Sequence, residues 1–174
     1  MQKNFKYILI FALVFLVFTF SACSVGNDVP SANIPQKFES NFDANFNELE
    51  LSGRISKLET GIYTITLSSP KSLDGLEFNC VGDKICTNLD GLEIETSCDS
   101  LPSLSFIKSV TNALDTASKS SSVSVTKADG YNQFSAPTQS GTFCILQEQD
   151  SESIVSLTIE SADISVNFSD FSAK

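Results

Sequence analysis

The chain has 174 residues, a formal net charge of −10, and neither histidine nor tryptophan. The acidic charge argues against binding to nucleic acid or to anionic lipid through a broad electrostatic field, because those partners are also negatively charged. The absence of histidine removes the commonest general base and a common metal ligand.

Residues 1–22 have the pattern of an export signal. Lys3 and Lys6 precede an almost uninterrupted apolar run over residues 7–20, which is shorter than the roughly 20 residues that a membrane-spanning helix needs. The run ends in Ser21-Ala22-Cys23, and two small residues before a cysteine are similar to the lipobox of bacterial lipoproteins. The usual leucine of that pattern is replaced here by Phe20.

The lipobox resemblance implies that the Cys23 thiol carries diacylglycerol and that cleavage follows Ala22. Stable membrane residence takes at least two acyl chains, which this chemistry supplies. The alternatives are an ordinary secretory signal beside a chance cysteine, or an uncleaved anchor. After cleavage, 9 basic and 21 acidic residues remain, so the net charge of the mature chain is −12.

Residues 23–40 are interpreted as a lipidated cysteine and a flexible tether, because this stretch is polar and contains Pro30 and Pro35. The β domain is then predicted to span residues 41–174. Within it, apolar and polar residues alternate in about ten short segments, a pattern typical of half-buried strands.

Turn signals separate these segments. Asp-Gly pairs occur at 74–75, 90–91 and 129–130, and they favour tight turns between adjacent strands. The apolar parity flips between Phe46 and Leu49, which predicts a bulge or bend near that point. The connections are short throughout, so the predicted sheet is an antiparallel meander.

One segment, 102–117, has helical periodicity instead. Its apolar residues recur at spacings of three and four, as on one face of a helix: Leu104, Ile107, Val110, Leu114 and Ala117. Pro102 suits a first helical turn, and Asp99 or Ser100 are candidate caps.

Four cysteines lie in the predicted domain: Cys80, Cys86, Cys98 and Cys144. An even number in an exported chain indicates disulfides, with three connectivities available. A three-residue loop over 82–84 would place Cys80 opposite Cys86, leaving Cys98 to pair with Cys144. The alternative is four buried free thiols. A zinc site is disfavoured because the paired C-x-x-C spacing is missing.

The expected fold class is α+β, mostly antiparallel β. A meander of about ten strands that are apolar on one face curls as its sheet twists. One helix cannot cover so large an apolar face. We therefore expect a closed barrel, or a half-open barrel with the helix as a lid, and either leaves an internal apolar surface for a hydrophobic ligand.

The chain also resembles the lipoprotein-localisation (LolA/LolB-like) superfamily, including its lipid-anchored members in Firmicutes. The resemblance covers about residues 42–171. It rests on the strand and helix order, on Ser69-Pro70-Lys71-Ser72-Leu73-Asp74-Gly75-Leu76, and on the closing stretch 164–171. It implies a half-open antiparallel barrel with helical lids and an apolar cavity. Members of the family carry acyl chains or dock partner proteins, and no catalytic residue set carries over.

These features predict a non-enzymatic, membrane-anchored, extracytoplasmic protein without a cofactor or a metal. It would bind a lipid or acyl chain in the half-barrel. The candidate lining and lid residues are Leu51, Ile55, Tyr63, Ile65, Leu67, Phe78, Ile94, Leu104, Ile107, Val110 and Leu114. The alternative is a scaffold that docks an envelope or spore-cortex protein. The expected location is the outer leaflet of the cell membrane, or the outer membrane in a host with two membranes.

Two other features bear on possible chemistry. Ser105-Phe106-Ile107-Lys108 matches the S-x-x-K nucleophile motif, but its S-D-N and K-T-G partners are absent from the sequence. Arg54, the chain's one arginine, falls on the polar parity of its strand, which favours a solvated role over one that holds a lid.

The anchor prediction is testable on the exported protein. Mass spectrometry of the mature chain should find an acylated Cys23 as its first residue, and Cys23→Ala should remain unprocessed and without acyl groups. A mature N-terminus at any other residue would contradict the prediction.

Overall fold

The computed structural model describes residues 34–101, 105–119 and 123–174. Cys23 and the predicted signal peptide lie outside these described residues, as do residues 24–33 of the predicted tether. The strands are β1 (Phe38–Phe46), β2 (Leu49–Glu59), β3 (Ile62–Ser69), β4 (Glu77–Val81), β5 (Lys84–Leu89), β6 (Leu92–Ser97), β7 (Ser124–Ala128), β8 (Tyr131–Thr138), β9 (Gly141–Glu148), β10 (Ile154–Ile159) and β11 (Ile164–Ala173). In the described ranges there is one α-helix, α1 (Phe106–Ser118).

All eleven strands form one antiparallel sheet in the order β6-β5-β4-β3-β2-β1-β11-β10-β9-β8-β7. The chain therefore starts at the centre, runs outward to the edge strand β6, and resumes at the opposite edge with β7. It then returns by hairpins until β11 pairs with β1. Within the described residues the sheet is curled but not closed, which confirms the mostly antiparallel half-barrel with one main helix.

The turn between β1 and β2 accounts for the parity flip. Asn47 and Glu48 have φ of 47° and 66°, and Phe46 pairs with Leu49 across them. Two consecutive positive φ values define the tight hairpin turn whose twist matches that of its strands. The change in apolar parity therefore marks a hairpin turn and not a bulge. Because the turn divides this segment into β1 and β2, the sheet has eleven strands and not the predicted number of about ten.

The face of the sheet that α1 covers, called here the inner face, carries the core. Since successive side chains of a strand point to opposite faces, the buried residues alternate along each strand. Phe106 of α1 lies 5.9 Å from the ring of Phe42 and 6.0 Å from that of Phe46, measured between centroids. The helix thus adds its apolar face to the core of the sheet.

The predicted boundary between tether and domain at residue 40 is wrong. Ile34 and Phe38 are buried, and the Phe38 ring stacks on Phe171 at 4.9 Å between centroids. Strand β1 already pairs at Phe38, with Lys57 on one side and Ala173 on the other. Residues 34–40 therefore belong to the domain.

The predicted helix start at Pro102 is also corrected. Ser105 is extended, with φ −67° and ψ 139°, and α1 begins at Phe106. Asp99 and Ser100 belong to a separate 3-10 helix, Cys98–Ser100. Leu104, one of the predicted lid residues, lies outside the described residues.

Replacing Phe38 tests the new boundary. Phe38→Ala should lower the free energy of unfolding by about 3–5 kcal/mol, because a buried aromatic side chain is lost from the centre of the sheet. Asn45→Ala, at an exposed position of the same strand, is the control and should stay within about 0.5 kcal/mol of wild type. Denaturant titration measures both, and equal stabilities would place residue 38 in the tether after all.

Candidate functional site

The structure brings together most of the predicted lining and lid residues, and it packs them against one another. These buried residues are Leu51, Ile55, Tyr63, Ile65 and Leu67 of the sheet and Ile107, Val110 and Leu114 of α1. In this conformation they form a filled core beneath the helix. Any ligand that reaches them must take the place of the helix.

Phe78 and Ile94 stand apart from that core. They lie in line with the buried Ile65 along the register Ile65–Phe78–Thr87–Ile94, so they share its inner face. Phe78 is half-buried, whereas Ile94 is 58% exposed and its neighbour Leu92 is 67% exposed. Ile94 therefore does not line an enclosed cavity, because the helix leaves the edge strand uncovered.

We call this uncovered part of the inner face the apolar shelf, and it consists of Phe78, Leu89, Leu92 and Ile94. Leu89 pairs with Leu92 at the β5–β6 hairpin, which places both on the same side as Ile94. The shelf and the core beneath α1 thus lie on the same face of the sheet, with Thr87 between Phe78 and Ile94. The helix covers one part, and the shelf lies open at the β6 edge.

A polar cluster joins the last turns of α1 to the sheet. Lys57 is only 1% exposed, and its Nζ donates a hydrogen bond to Ser118 Oγ at 2.6 Å. The same Nζ lies 3.5 Å from Asp115 Oδ1, which also accepts a hydrogen bond from the Tyr63 hydroxyl. Asp115 Oδ2 accepts the backbone N–H of Gly61 at 2.9 Å. We call Lys57, Tyr63, Asp115 and Ser118 the polar latch.

Burial sets the electrostatics of the latch. Desolvation lowers the pKa of Lys57, and the nearby Asp115 carboxylate opposes that shift. Desolvation raises the pKa of the Tyr63 phenol, and the Asp115 charge adds to the increase. Asp115 is therefore the counter-charge that allows a lysine to lie inside the core, and the two groups depend on each other.

A second buried polar contact lies near the start of α1. Ser109 Oγ and Ser140 Oγ, the latter in the β8–β9 turn, are 2.7 Å apart. The helix is thus held to the sheet by a polar contact toward each end, with apolar packing between them. Hydrogen bonds between buried groups give a helix a defined position that apolar packing alone specifies less well.

The latch could have been found in the sequence. Lys57 follows Leu51, Gly53 and Ile55 on the apolar parity of β2, so a charge falls on the inner face. Arg54 lies on the opposite parity and is exposed, with its guanidinium 2.7 Å from Glu39. The predicted solvated role of Arg54 is confirmed, and Lys57 is the basic residue that contacts the helix.

A small cavity of about 240 Å³ lies beside the latch. Its lining includes Tyr63 and Asp115 of the latch, together with Cys80, Cys98 and Lys108. Ligand pockets usually have volumes of about 300–1,000 Å³ and mostly apolar linings, so this cavity is too small and too polar for an acyl chain.

The predicted disulfide pairings are wrong. Cys80 pairs with Ile85 across a two-residue turn, so Cys80 faces the inner side and Cys86 the outer side. Cys144 lies between the buried Phe143 and Ile145 and therefore also points outward. The described cysteines Cys80, Cys86, Cys98 and Cys144 are free thiols.

The S-x-x-K motif is not assembled as a catalytic pair. Ser105 Oγ is buried without a hydrogen-bond partner, so Lys108 does not contact it. Across the described ranges, no group of three or more cysteine, aspartate or glutamate residues is arranged to hold a metal ion. In the same ranges, no helix has the length and apolar character needed to cross a membrane.

Comparison with known proteins identifies likeness in structure and not in sequence. No protein-family model matches the chain, and no curated protein matches it. An uncharacterized conserved protein from Thermus thermophilus aligns over 84% of this chain and 83% of its own, with 10% identity and a TM-score of 0.50. This similarity shows a shared fold.

Two further structures align less well. A LolA superfamily protein from Nitrosomonas europaea has 9% identity and a TM-score of 0.45, over 83% of this chain and 90% of its own. The lipoprotein LppX of Mycobacterium tuberculosis has 12% identity and a TM-score of 0.40, over 79% and 86%. At these scores the two likenesses add no argument about function.

Removing one partner of the latch should cost more than removing both. Asp115→Ala leaves the Lys57 charge buried without its partner and should lower the free energy of unfolding by about 3–5 kcal/mol. Lys57→Met combined with Asp115→Leu should recover a large part of that loss, because no unpaired charge remains. Urea denaturation measures both variants.

The matched control for the latch is Arg54→Met, which breaks the exposed pair with Glu39 and should leave the denaturation midpoint nearly unchanged. The single variants Lys57→Met and Asp115→Leu complete the cycle. If the double variant loses as much stability as the sum of these two single variants, Lys57 and Asp115 are not energetically coupled.

Proposed function

We propose that this protein is a non-enzymatic, membrane-anchored extracytoplasmic lipoprotein that binds a hydrophobic ligand on the inner face of its half-barrel, beneath and beside the helix α1. The ligand class is a lipid or an acyl chain. The anchor is the predicted acylated Cys23.

The observation that supports the proposal is that the mostly apolar inner face extends beyond the helix that covers it. The apolar shelf and the core beneath α1 lie on the same face of the sheet, and part of that face is exposed to solvent at the β6 edge. Burying an exposed apolar surface is favourable by about 25 cal/mol per Å², so an apolar partner that covers the shelf gains free energy. An acyl chain on the shelf can extend under the helix along the same surface.

The contacts between α1 and the sheet favour a helix that can move away from the inner face over one that is permanently fixed to it. Between its two polar contacts, the helix meets the sheet through side chains such as Val110 and Leu114, and an acyl chain can replace such contacts at similar free energy. The polar latch sets the closed position. Buried ion pairs are better at specifying a geometry than at stabilising a fold, because desolvation offsets their attraction.

The predicted anchor defines what such a protein can do with its ligand. A chain held by two or more acyl groups leaves a membrane only slowly. A protein anchored in this way receives, holds or presents a lipid at the surface, and it does not carry the lipid across the envelope.

Locking the helix tests the proposal directly. Because Ser109 Oγ and Ser140 Oγ are 2.7 Å apart, the variant Ser109→Cys/Ser140→Cys should form a disulfide that fastens α1 to the β8–β9 turn. We expect the oxidised variant to bind a fluorescent fatty acid about tenfold or more weakly than wild type, since the open state is removed, and reduction should restore binding.

The control for this experiment is wild-type protein taken through the same oxidation and reduction. Peptide mapping verifies that residues 109 and 140 are linked. Equal binding by the oxidised and reduced variants would show that the ligand does not enter beneath the helix, and failure of reduced wild type to bind the fatty acid would remove the proposal.

One observation favours the alternative of a scaffold that docks an envelope protein. Among the described strands, β6 lies at one edge of the sheet, and Leu92 and Ile94 are exposed on it, as at sites where a partner adds a strand. A partner protein bound one to one by wild type and lost in Leu92→Lys/Ile94→Lys, with no fatty acid bound by either, would select this alternative.

A further inference from the structure

Two of the described cysteines face the same cavity. Cys80 of β4 and Cys98 of the 3-10 helix Cys98–Ser100 both line the 240 Å³ cavity beside the polar latch. Cys80 is buried at 5% exposure, and Cys98 is partly exposed and packs against the same core. The two cysteines therefore border the same cavity.

Backbone contacts hold Cys98 over the hairpin that carries Cys80. The Cys98 N–H donates to the carbonyl oxygen of Asp83 at 2.8 Å, and its Sγ lies 3.6 Å from the carbonyl oxygen of Gly82. Gly82 is two residues beyond Cys80. Burial raises the pKa of Cys80 to about 12, and the charges of Cys98 and Asp115 add to that increase.

The other pairings are prevented by the sheet. Cys86 and Cys144 are on the outer face, so neither can reach a thiol on the inner side. Strands β5 and β9, which carry them, are seven strand intervals apart, or about 34 Å along the sheet at about 4.8 Å per interval. A disulfide requires Cα atoms within about 7 Å, so Cys86 and Cys144 cannot pair with each other.

We propose that Cys80 and Cys98 are a redox-active pair that closes to an intramolecular disulfide. The oxidant is a small-molecule or protein disulfide, the class of oxidant that acts on exported chains. This inference concerns the fold and does not rest on the proposed ligand.

The reaction proceeds by two thiol–disulfide exchanges. The more exposed Cys98 loses its proton and attacks one sulfur of the oxidant, which forms a mixed disulfide and releases one thiolate. Cys80 then loses its proton and attacks Cys98 Sγ, which forms the Cys80–Cys98 bond and releases the second thiolate. Two protein thiols lose two electrons and two protons, and the oxidant disulfide is reduced to two thiols.

The bond would connect β4 to the segment that leads into α1. Among the described residues, Cys98–Ser100 is the last regular element before the helix begins at Phe106. A covalent link at Cys98 would add to the hydrogen bond from its N–H to Asp83 and fix this element to β4. Oxidation would therefore restrain the start of α1 relative to the β4–β5 hairpin.

The test uses the full chain with Cys86→Ser/Cys144→Ser, which leaves the proposed pair and Cys23, whose thiol is predicted to be acylated. The protein is incubated with oxidised glutathione, its remaining thiols are blocked with N-ethylmaleimide, and digests are mapped by mass spectrometry without reduction. We expect one linked peptide pair that contains Cys80 and Cys98, two hydrogen masses below the sum of the separate peptides, and no label on either residue.

Wild type gives an independent readout that does not depend on the folding of a variant. Mapping should find the same linked pair, with Cys86 and Cys144 labelled. Label on both Cys80 and Cys98 after oxidation, stable glutathione adducts on both, or a link from either to Cys86 or Cys144 would each overturn the proposal.

Discussion

The pairing of β1 with β11 determines the rest of the architecture. It joins two successive sets of hairpins into one sheet whose centre holds both ends of the domain, and it places β6 and β7 at opposite edges. The chain must therefore cross the whole sheet between those two strands. A sheet that is apolar on one face accepts that crossing only on its apolar side, where an amphipathic helix can bury its stripe. The position of α1 over the inner face follows from strand order and does not require a special recognition between helix and sheet.

The helix that makes this crossing is shorter than the surface it crosses. It covers the core around Ile65 and Leu114, whereas Leu92 and Ile94 remain exposed at the β6 edge. Two buried polar contacts, Lys57 with Asp115 and Ser109 with Ser140, define where it rests. The apolar inner face is therefore larger than the area that α1 covers. The position of α1 on it is defined by two buried polar contacts. The proposed binding of a hydrophobic ligand depends on these two properties.

Much of the fold was predictable because alternation along strands and spacing along a helix are local signals. The strand segments, the Asp-Gly turns, the helix and the buried positions such as Ile55, Ile65 and Leu114 all follow from such patterns.

The features that the sequence did not predict depend on contacts with neighbouring strands. The burial of Phe38 depends on partners at Lys57 and Ala173, one of which is distant in sequence. The exposure of Ile94 depends on β6 being an edge. The predicted Cys80–Cys86 pair assumed a three-residue loop, whereas the turn between β4 and β5 has two residues. A difference of one residue in register moves a side chain to the other face of the sheet. Lys57 was overlooked although its parity placed it inside, because basic residues rarely lie in cores.

The entry of β1 into the sheet has a consequence for where the domain stands relative to the membrane. The chain enters at the end of the sheet where Phe38 pairs with Lys57, and Lys57 in turn pairs with Tyr63. This is the end that holds the polar latch and the cavity with Cys80 and Cys98. Only residues 24–33 separate Cys23 from Ile34, which is at most roughly 38 Å of extended chain. With Cys23 acylated as predicted, Ile34 lies within that distance of the bilayer surface, so the anchor attaches to the domain at the end that holds the latch and the two thiols.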